Sequence, residues 1–173
     1  MKSEQQDQIL GCMADVLNQN GFRAEVMAKE GAPTLLRCEA ARQGKVAKDV
    51  VIECCFIPMQ LPEEDMGLLQ FFVTLFQGAP EMHANQLRRA CAYCNDFCAL
   101  GAFGLFEQAG QIYLKHNTLL DGSLKLDKII PFVADNISVL LAAVGRFIDG
   151  LAQVAYAGMT LEAVIDQELF PKM

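Results

Sequence analysis

Three cysteines give the strongest local indication of chemistry in this sequence. Cys91, Cys94 and Cys98 stand at positions i, i+3 and i+7 of a segment with helical periodicity. This spacing places three thiols on one side of a helix, where they could bind a metal ion or act as a redox sensor. The same positions continue an apolar stripe that begins at Leu87, and free cysteine is common in core-facing stripes. We therefore predict core packing and no metal, with a thiol-based redox or metal sensor as an alternative.

The two histidines lie outside any recognisable catalytic motif. His83 is predicted near the start of a helix, as an exposed or capping residue, whereas His116 ends an alternating, inward-facing row of a strand. A general base needs a nucleophile and an orienting partner, which the sequence does not identify. A cleft near His116, Cys94 and Asn95 is retained as the alternative site, for a small-ligand-binding protein or an enzyme.

Other catalytic signatures are missing from the sequence: it has no nucleophile elbow, no Walker loop and no dinucleotide-binding fingerprint. Residues 121–123 are similar to the start of a calcium loop, but Lys125 stands where an oxygen ligand is needed. The three consecutive acids at 63–65 follow a proline and are typical of a solvated loop. The sequence therefore predicts no catalytic residue, no cofactor and no bound metal.

The charge distribution argues against nucleic-acid binding. The chain has 21 acidic and 14 basic residues, a formal net charge of −7 and an isoelectric point near 4.8. The basic residues are dispersed along the chain, whereas a phosphate-binding face would gather them.

Cysteine usage and the N-terminal residues predict a cytoplasmic protein. Residues 1–7 lack the apolar core of a secretory signal, and the apolar run at 139–145 is much shorter than the roughly 20 residues that span a bilayer. Seven cysteines cannot pair completely within one chain, which favours free thiols in a reducing compartment. We expect neither export nor a membrane partner.

Hydrophobic periodicity divides the chain into helices and strands. Helical spacing predicts a first helix over 3–20, a second over 82–100 that ends before Gly101, and a long third helix that ends at Gly158. Period-two alternation predicts strands at 22–29, 34–41, 50–57, 68–76, 102–107 and 112–118. The order α-β-β-β-β-α-β-β-α groups the strands, which predicts an α+β fold with an antiparallel sheet packed with helices.

The length and composition predict one domain. With 173 residues, of which 53% are hydrophobic, the chain can bury a sizeable core without a structural metal or disulfides. We expect a single α+β domain over 1–173, with its core at about 5–157. Residues 158–173 would form a C-terminal extension, in which Thr160 could cap a short helix.

The long C-terminal helix carries a candidate interaction surface. Its apolar residues repeat at alternating spacings of three and four, a 3.5-residue period that is sustained for more than three heptads. This stripe is longer than one small sheet readily covers, so we predict that Phe147, Leu151 and Val154 project towards a partner. The alternative is that the stripe packs across the sheet. The candidate surface consists of Ile130, Val133, Ile137, Leu140, Val144, Phe147, Leu151 and Val154.

The predicted order of helices and strands resembles that of the YbjN-like family, described as bacterial sensory-transduction regulators. It also resembles the related fold of class I type III secretion chaperones. The resemblance is carried by the segments 68–73 (LLQFFV), 100–104 (LGAFG) and 112–117 (IYLKHN), together with Asn95, and it extends over most of 5–155. It implies a small acidic α+β protein, commonly dimeric, that binds another polypeptide and catalyses nothing. We therefore expect a non-catalytic protein-interaction module that binds a partner polypeptide or forms a homodimer.

Overall fold

A computed structural model describes residues 1–172 of the chain. The elements are four α-helices and one sheet of six strands. Short 3₁₀ turns at Glu81–His83 and Glu107–Ala109 precede the second helix and the last strand. In chain order the elements are α1 Ser3–Gln19, β1 Arg23–Met27, β2 Leu35–Gln43, β3 Lys48–Phe56, β4 Met66–Phe76, α2 Ala84–Asn95, β5 Ala102–Phe106, β6 Gln111–Asp121, α3 Leu126–Ala157 and α4 Leu161–Asp166.

The predicted α+β class and antiparallel sheet are confirmed. The strand order is β1-β2-β3-β4-β6-β5, and every neighbouring pair is antiparallel. The first four strands form a meander. The chain then crosses through α2 to the far edge and returns as β6, between β5 and β4.

One face of the sheet holds the core. Strand residues alternate between the two faces, and the inward residues of neighbouring strands are in register, as in the row that contains Leu36, Cys54 and Phe71. These three side chains are at most 1% exposed. Helix α1 packs on β1 and β2, α2 packs on β5, and α3 packs on the central strands. The molecule therefore has two layers, with the helices on one side of the sheet.

The other side of the sheet carries no helix and faces solvent. Antiparallel sheets commonly leave one face solvated, and the outward side chains here are all half-buried or exposed. We call this side the open face. It includes Arg23, Glu25, Met27, Leu35, Arg37, Glu39, Asp49, Val51, Glu53, Cys55, Met66, Leu68, Gln70, Phe72, Thr74, Ala102, Gly104, Phe106, Gln111, Tyr113, Lys115, Asn117, Leu119 and Asp121.

Helix α3 is the central helix of the core, which corrects the predicted interaction surface. Apart from the half-buried Ile130, every residue of that surface is buried within the single chain: Val133, Ile137, Leu140, Val144, Phe147, Leu151 and Val154 are at most 2% exposed. Folding covers these residues with the sheet and with the neighbouring helices α1, α2 and α4. A stripe that is fully buried in one chain is not available to a partner.

The C-terminal residues explain why the stripe needs no partner. The Phe147 ring packs against Phe103 from β5 and against Phe170 from the C-terminal segment, with ring centroids 5.7 Å and 5.9 Å apart. Val164 and Phe170 are also buried, so the core extends beyond the predicted limit of residue 157. The predicted short helix is α4, and the Thr160 hydroxyl caps it by accepting from the Ala163 N–H at 3.2 Å.

Helix α3 is also long and apolar enough to span a membrane, the one such helix in the described residues. Core helices of soluble proteins meet the same criterion of length and composition. Twelve residues of α3 are buried against the rest of the chain, which identifies it as a core helix in this structure.

Helix α2 is shorter than predicted. It ends at Asn95, whereas the sequence predicts helix up to residue 100. Gly101, predicted to end this helix, has a φ of +77° in the turn before β5, where a Cβ atom would lie 2.9 Å from the Lys115 carbonyl oxygen. Cys98 therefore lies outside the helix that carries Cys91 and Cys94.

Candidate functional site

An aromatic cluster stands out on the open face. It consists of Phe72 on β4, Tyr113 on β6 and Phe106 at the end of β5. The ring centroid of Tyr113 lies 4.9 Å from that of Phe72 and 4.5 Å from that of Phe106, and the two phenylalanines are 6.1 Å apart. The Phe106 side chain is 48% exposed. The cluster therefore presents a contiguous apolar surface on a solvated sheet.

Gly104 makes room for this cluster. It pairs with Tyr113 across the β5–β6 ladder, and a Cβ atom at Gly104 would lie 2.5 Å from Tyr113 Cζ. The tyrosine ring therefore lies over the glycine, a known way to stabilise an edge glycine in a sheet. This packing accounts for the position of Tyr113, but it leaves the outer side of the Phe106 ring in solvent.

The other half of the open face is charged. On β1, β2 and β3, Arg23 faces Glu39 with a nitrogen–oxygen distance of 3.5 Å, and Arg37 faces Glu53 at 3.7 Å. These cross-strand pairs are solvent-accessible, so they contribute little to stability. The face therefore combines an aromatic half on β4, β6 and β5 with a charged half on β1 to β3.

Asparagine side chains from the helices block both edges of the sheet. On β1, the Asn18 amide accepts from the Ala24 N–H at 3.0 Å and donates to the Ala24 carbonyl at 2.9 Å. On β5, Asn95 makes the same pair of bonds with Phe103, at 2.6 Å and 3.1 Å. Each amide takes the place of a neighbouring strand at one residue, whose backbone N–H and C=O groups point away from the sheet edge. Exposed strand edges invite pairing with other chains, so these bonds disfavour extension of the sheet.

The three cysteines considered for metal or redox chemistry are packed in the protein. Cys91 and Cys94 are at most 3% exposed and Cys98 is half-buried. Burial raises the pKa of the Cys91 thiol to about 12 and raises the pKa of Cys94 as well. A raised pKa disfavours the thiolate, which is the form that binds metals and reacts. Among the described residues, 1–172, no group of histidines, cysteines and carboxylates is arranged to hold a metal ion.

The residues of the predicted cleft have separate structural partners. Cys94 is fully buried, Asn95 binds the backbone of β5, and the half-buried His116 ring stacks on Phe71 with centroids 6.0 Å apart. None of the three lines any of the five best-formed cavities of residues 1–172. His83 binds the Ala155 carbonyl oxygen through Nδ1 at 2.8 Å, so its side chain satisfies a backbone group near the C-terminal end of α3. It makes no capping hydrogen bond at the start of α2.

One cavity borders the open face. It has a volume of about 350 Å³, and its lining includes Arg37, Val51, Glu53, Thr74 and Tyr156. Two of its titratable lining groups, Arg37 and Glu53, face each other as an ion pair, and Lys48 and Asp49 also line it. The lining also lacks a nucleophile with an adjacent base, the arrangement that nucleophilic catalysis requires. This cavity therefore lies at the polar edge of the open face, and its lining residues do not form a nucleophile–base pair.

The aromatic cluster is absent from the sequence-based predictions, which place the interaction surface on the apolar stripe of α3. A usable signal exists in the strands. In an ordinary half-solvated strand the outward positions are polar, yet β4 and β6 carry Phe72 and Tyr113 at those positions. The pairing of β4 with β6, which brings the two rings together, depends on the chain crossover and is not encoded in either strand alone.

No model of a known protein family matches the chain, and no curated protein matches it. The chemistry of the open face is therefore the basis for a functional assignment.

Proposed function

We propose that this protein is a non-catalytic protein-interaction module and that it binds through the open face. The observation that carries the proposal is the cluster of Phe72, Phe106 and Tyr113 on a sheet surface that no other part of the described chain covers. Aromatic side chains dominate binding energy in protein interfaces because they bury a large area and lose little conformational entropy. The charged pairs beside the cluster fit the polar rim of such an interface.

Two features favour binding over catalysis. The histidines have structural partners, since His83 binds α3 and His116 stacks on Phe71. The buried thiols have raised pKa values, as at Cys38, where burial and Glu39 raise the pKa to about 11. These environments support a packing role for both residue types.

The YbjN-like and chaperone-like assignments, and the cytoplasmic location, are part of this proposal. Support comes from the acidic charge, from the α+β sheet and from the seven cysteines, all of which are free. Cys38 and Cys54 illustrate this: they lie on the same buried face of adjacent strands and yet are not bonded. Free thiols are expected in a reducing compartment.

A capture experiment with matched variants tests the proposed function. The wild-type chain, Phe106→Glu and Phe132→Glu are immobilised and exposed to a native cell extract. Phe106 on the open face and Phe132 on α3 are similarly exposed, at 48% and 43%, so the two substitutions differ mainly in location. We expect the wild type and Phe132→Glu to retain one polypeptide in stoichiometric amount, either a different protein or further copies of this chain. Phe106→Glu should lose it. Equal retention by all three chains would contradict the proposal.

A further inference from the structure

We infer that the open face binds an amphipathic helix of another polypeptide, and that this helix carries lysine or arginine residues along one flank. This inference rests on the proposed function and names the class of partner. Three properties of the open face carry it: an apolar band that crosses the sheet, the backbone of the sheet beneath that band, and an excess of carboxylates on one side of it.

The aromatic cluster is one end of a longer apolar band on the open face. Leu35 on β2 pairs with Met27 on β1 and with Cys55 on β3. Phe72 lies diagonally from Cys55, two residues beyond Gln70, its direct partner on β4. The band thus crosses all six strands, and five strand spacings of about 4.8 Å make it at least about 24 Å long. From β1 to β5 the band consists of Met27, Leu35, Cys55, Phe72, Tyr113 and Phe106.

The backbone of the sheet determines what can cover this band. The backbone groups of the paired strands bond within the sheet, so its face offers a ligand side chains and no backbone donors or acceptors. A single extended peptide on the band would bury its own N–H and C=O groups without partners, which costs free energy. A helix satisfies its backbone internally, and about 16 residues span 24 Å at 1.5 Å per residue. The occupant that fits is therefore helical.

The width of the band favours a helix over a second sheet. The band is one side chain wide on each strand, and polar or charged positions of the open face flank it on β1, β2 and β3. An amphipathic helix presents a single apolar stripe with polar flanks, which matches this layout. A second sheet would cover the charged positions as well as the band, and buried charges are costly unless they are paired.

The charges beside the band indicate the chemistry of the helix. On β1, β2 and β3 the open face carries four acidic and two basic residues, and both arginines form ion pairs with glutamates of a neighbouring strand. Within residues 1–172, Glu25 and Asp49 form no ion pair. On the opposite side the band is bordered by Gln70, Lys115 and Asn117, which carry one positive charge. A helix with basic residues on the flank that faces β1 to β3 is therefore complementary to this surface.

Model peptides test this partner class on the full-length chain. Two peptides of about 18 residues contain the same numbers of leucines and lysines, but the leucines recur at helical spacing in one and alternate with lysines in the other. A third peptide has the helical spacing with glutamate in place of lysine. Fluorescence anisotropy of the labelled peptides measures binding at about 0.15 M salt. We expect the helical lysine peptide to bind at least about tenfold more tightly than either of the others.

Serine variants locate the binding site without a change of charge. Met27 and Phe106 mark the two ends of the band and are 37% and 48% exposed, whereas Leu119 is 55% exposed on the same face outside the band. Met27→Ser and Phe106→Ser should each weaken binding of the helical lysine peptide by about tenfold, because each removes an apolar side chain from the contact. Leu119→Ser should bind as the wild type does. Circular dichroism establishes that the three variants are folded.

Three results would overturn this inference. They are no measurable binding of the helical lysine peptide, equal binding of either other peptide, and equal weakening by Leu119→Ser and Met27→Ser. The capture experiment separates this inference from the proposed function. If the inference fails but the chain still retains a polypeptide from a native extract in a Phe106-dependent manner, the basic helix is wrong as the occupant and the proposed function stands. If nothing is retained, both are wrong.

Discussion

At the scale of single residues, a few polar side chains tie distant segments together. Asp149 on α3 is the clearest case: its carboxylate accepts from the backbone N–H groups of Lys45 and Val46, at 3.0 Å and 2.8 Å. It thereby fixes the β2–β3 turn onto the helix layer, more than one hundred residues away in sequence. Hydrophobic periodicity contains no information on such a contact, so the contact could not be predicted from the sequence.

The first prediction concerns this carboxylate. Asp149→Ala removes the acceptor for two N–H groups, and we expect it to lower the free energy of unfolding by about 1–3 kcal/mol. Asp135→Ala is the control, because Asp135 is exposed on the same helix and exposed substitutions usually change stability by less than about 0.5 kcal/mol. Urea unfolding of both variants measures the difference. Equal losses of stability would show that Asp149 does not anchor the turn.

The second prediction concerns the buried thiols. In the folded chain burial raises the pKa of Cys91 from 9.0 to about 12, so between these values the unfolded chain loses a proton that the folded chain keeps. The contribution of Cys91 to the free energy of unfolding should therefore be constant below about pH 9 and fall as the pH rises towards 12. The slope is at most about 1.4 kcal/mol per pH unit for each thiol.

Urea unfolding at a series of pH values measures this slope. Cys91→Ala is the matched variant: it lacks this titration, so its stability should depend less steeply on pH than that of the wild type above pH 9. Parallel pH profiles for the two chains would contradict the assignment of Cys91 to the core.

At the scale of elements, the core depends on a close contact between α3 and the C-terminal segment. Gly150 on α3 lies against the ring of Phe170, and a Cβ atom at this position would overlap that ring and approach Val164. The Tyr93 hydroxyl, which donates to the Pro171 carbonyl at 2.5 Å, holds the same segment from α2. The segment is thereby part of the core.

The third prediction uses two glycines of the same helix. Alanine favours helix over glycine by up to about 1 kcal/mol. Gly145→Ala should therefore raise stability by about 0.5–1 kcal/mol, since a Cβ atom there meets nothing within 4 Å. Gly150→Ala should instead lower it by about 1–3 kcal/mol, because the rigid Phe170 ring must move. Thermal unfolding of the two variants measures the shifts, and shifts of the same sign would contradict this packing.

The sequence predicts the type of each element well, because helical and alternating patterns are strong in this chain. The ends of elements are harder. The cysteine spacing suggests that α2 continues to Cys98, but the helix ends at Asn95, whose side chain binds the backbone of β5. That bond forms only once the tertiary structure brings Phe103 next to α2, so no local pattern specifies it.

At the scale of the whole molecule, the location of the binding surface could not be derived from periodicity. A buried stripe and an interface stripe have the same 3.5-residue spacing, and the residues that cover α3, such as Phe170, follow it in the chain. The open face becomes visible only when β4, β6 and β5 are placed side by side. The molecule thus has its longest apolar stripe in the core and its aromatic cluster on the opposite side of the sheet.

The central claim, that the molecule binds a polypeptide through the open face, is tested most directly by the amount of polypeptide that two matched variants retain from a native cell extract. Phe106→Glu should lose the polypeptide that the wild type retains, because it places a charge in the aromatic cluster. Phe132→Glu, on the exposed side of α3, should retain it. Circular dichroism establishes that both variants are folded. Equal retention by Phe106→Glu and the wild type, or loss of retention by Phe132→Glu, would contradict the claim.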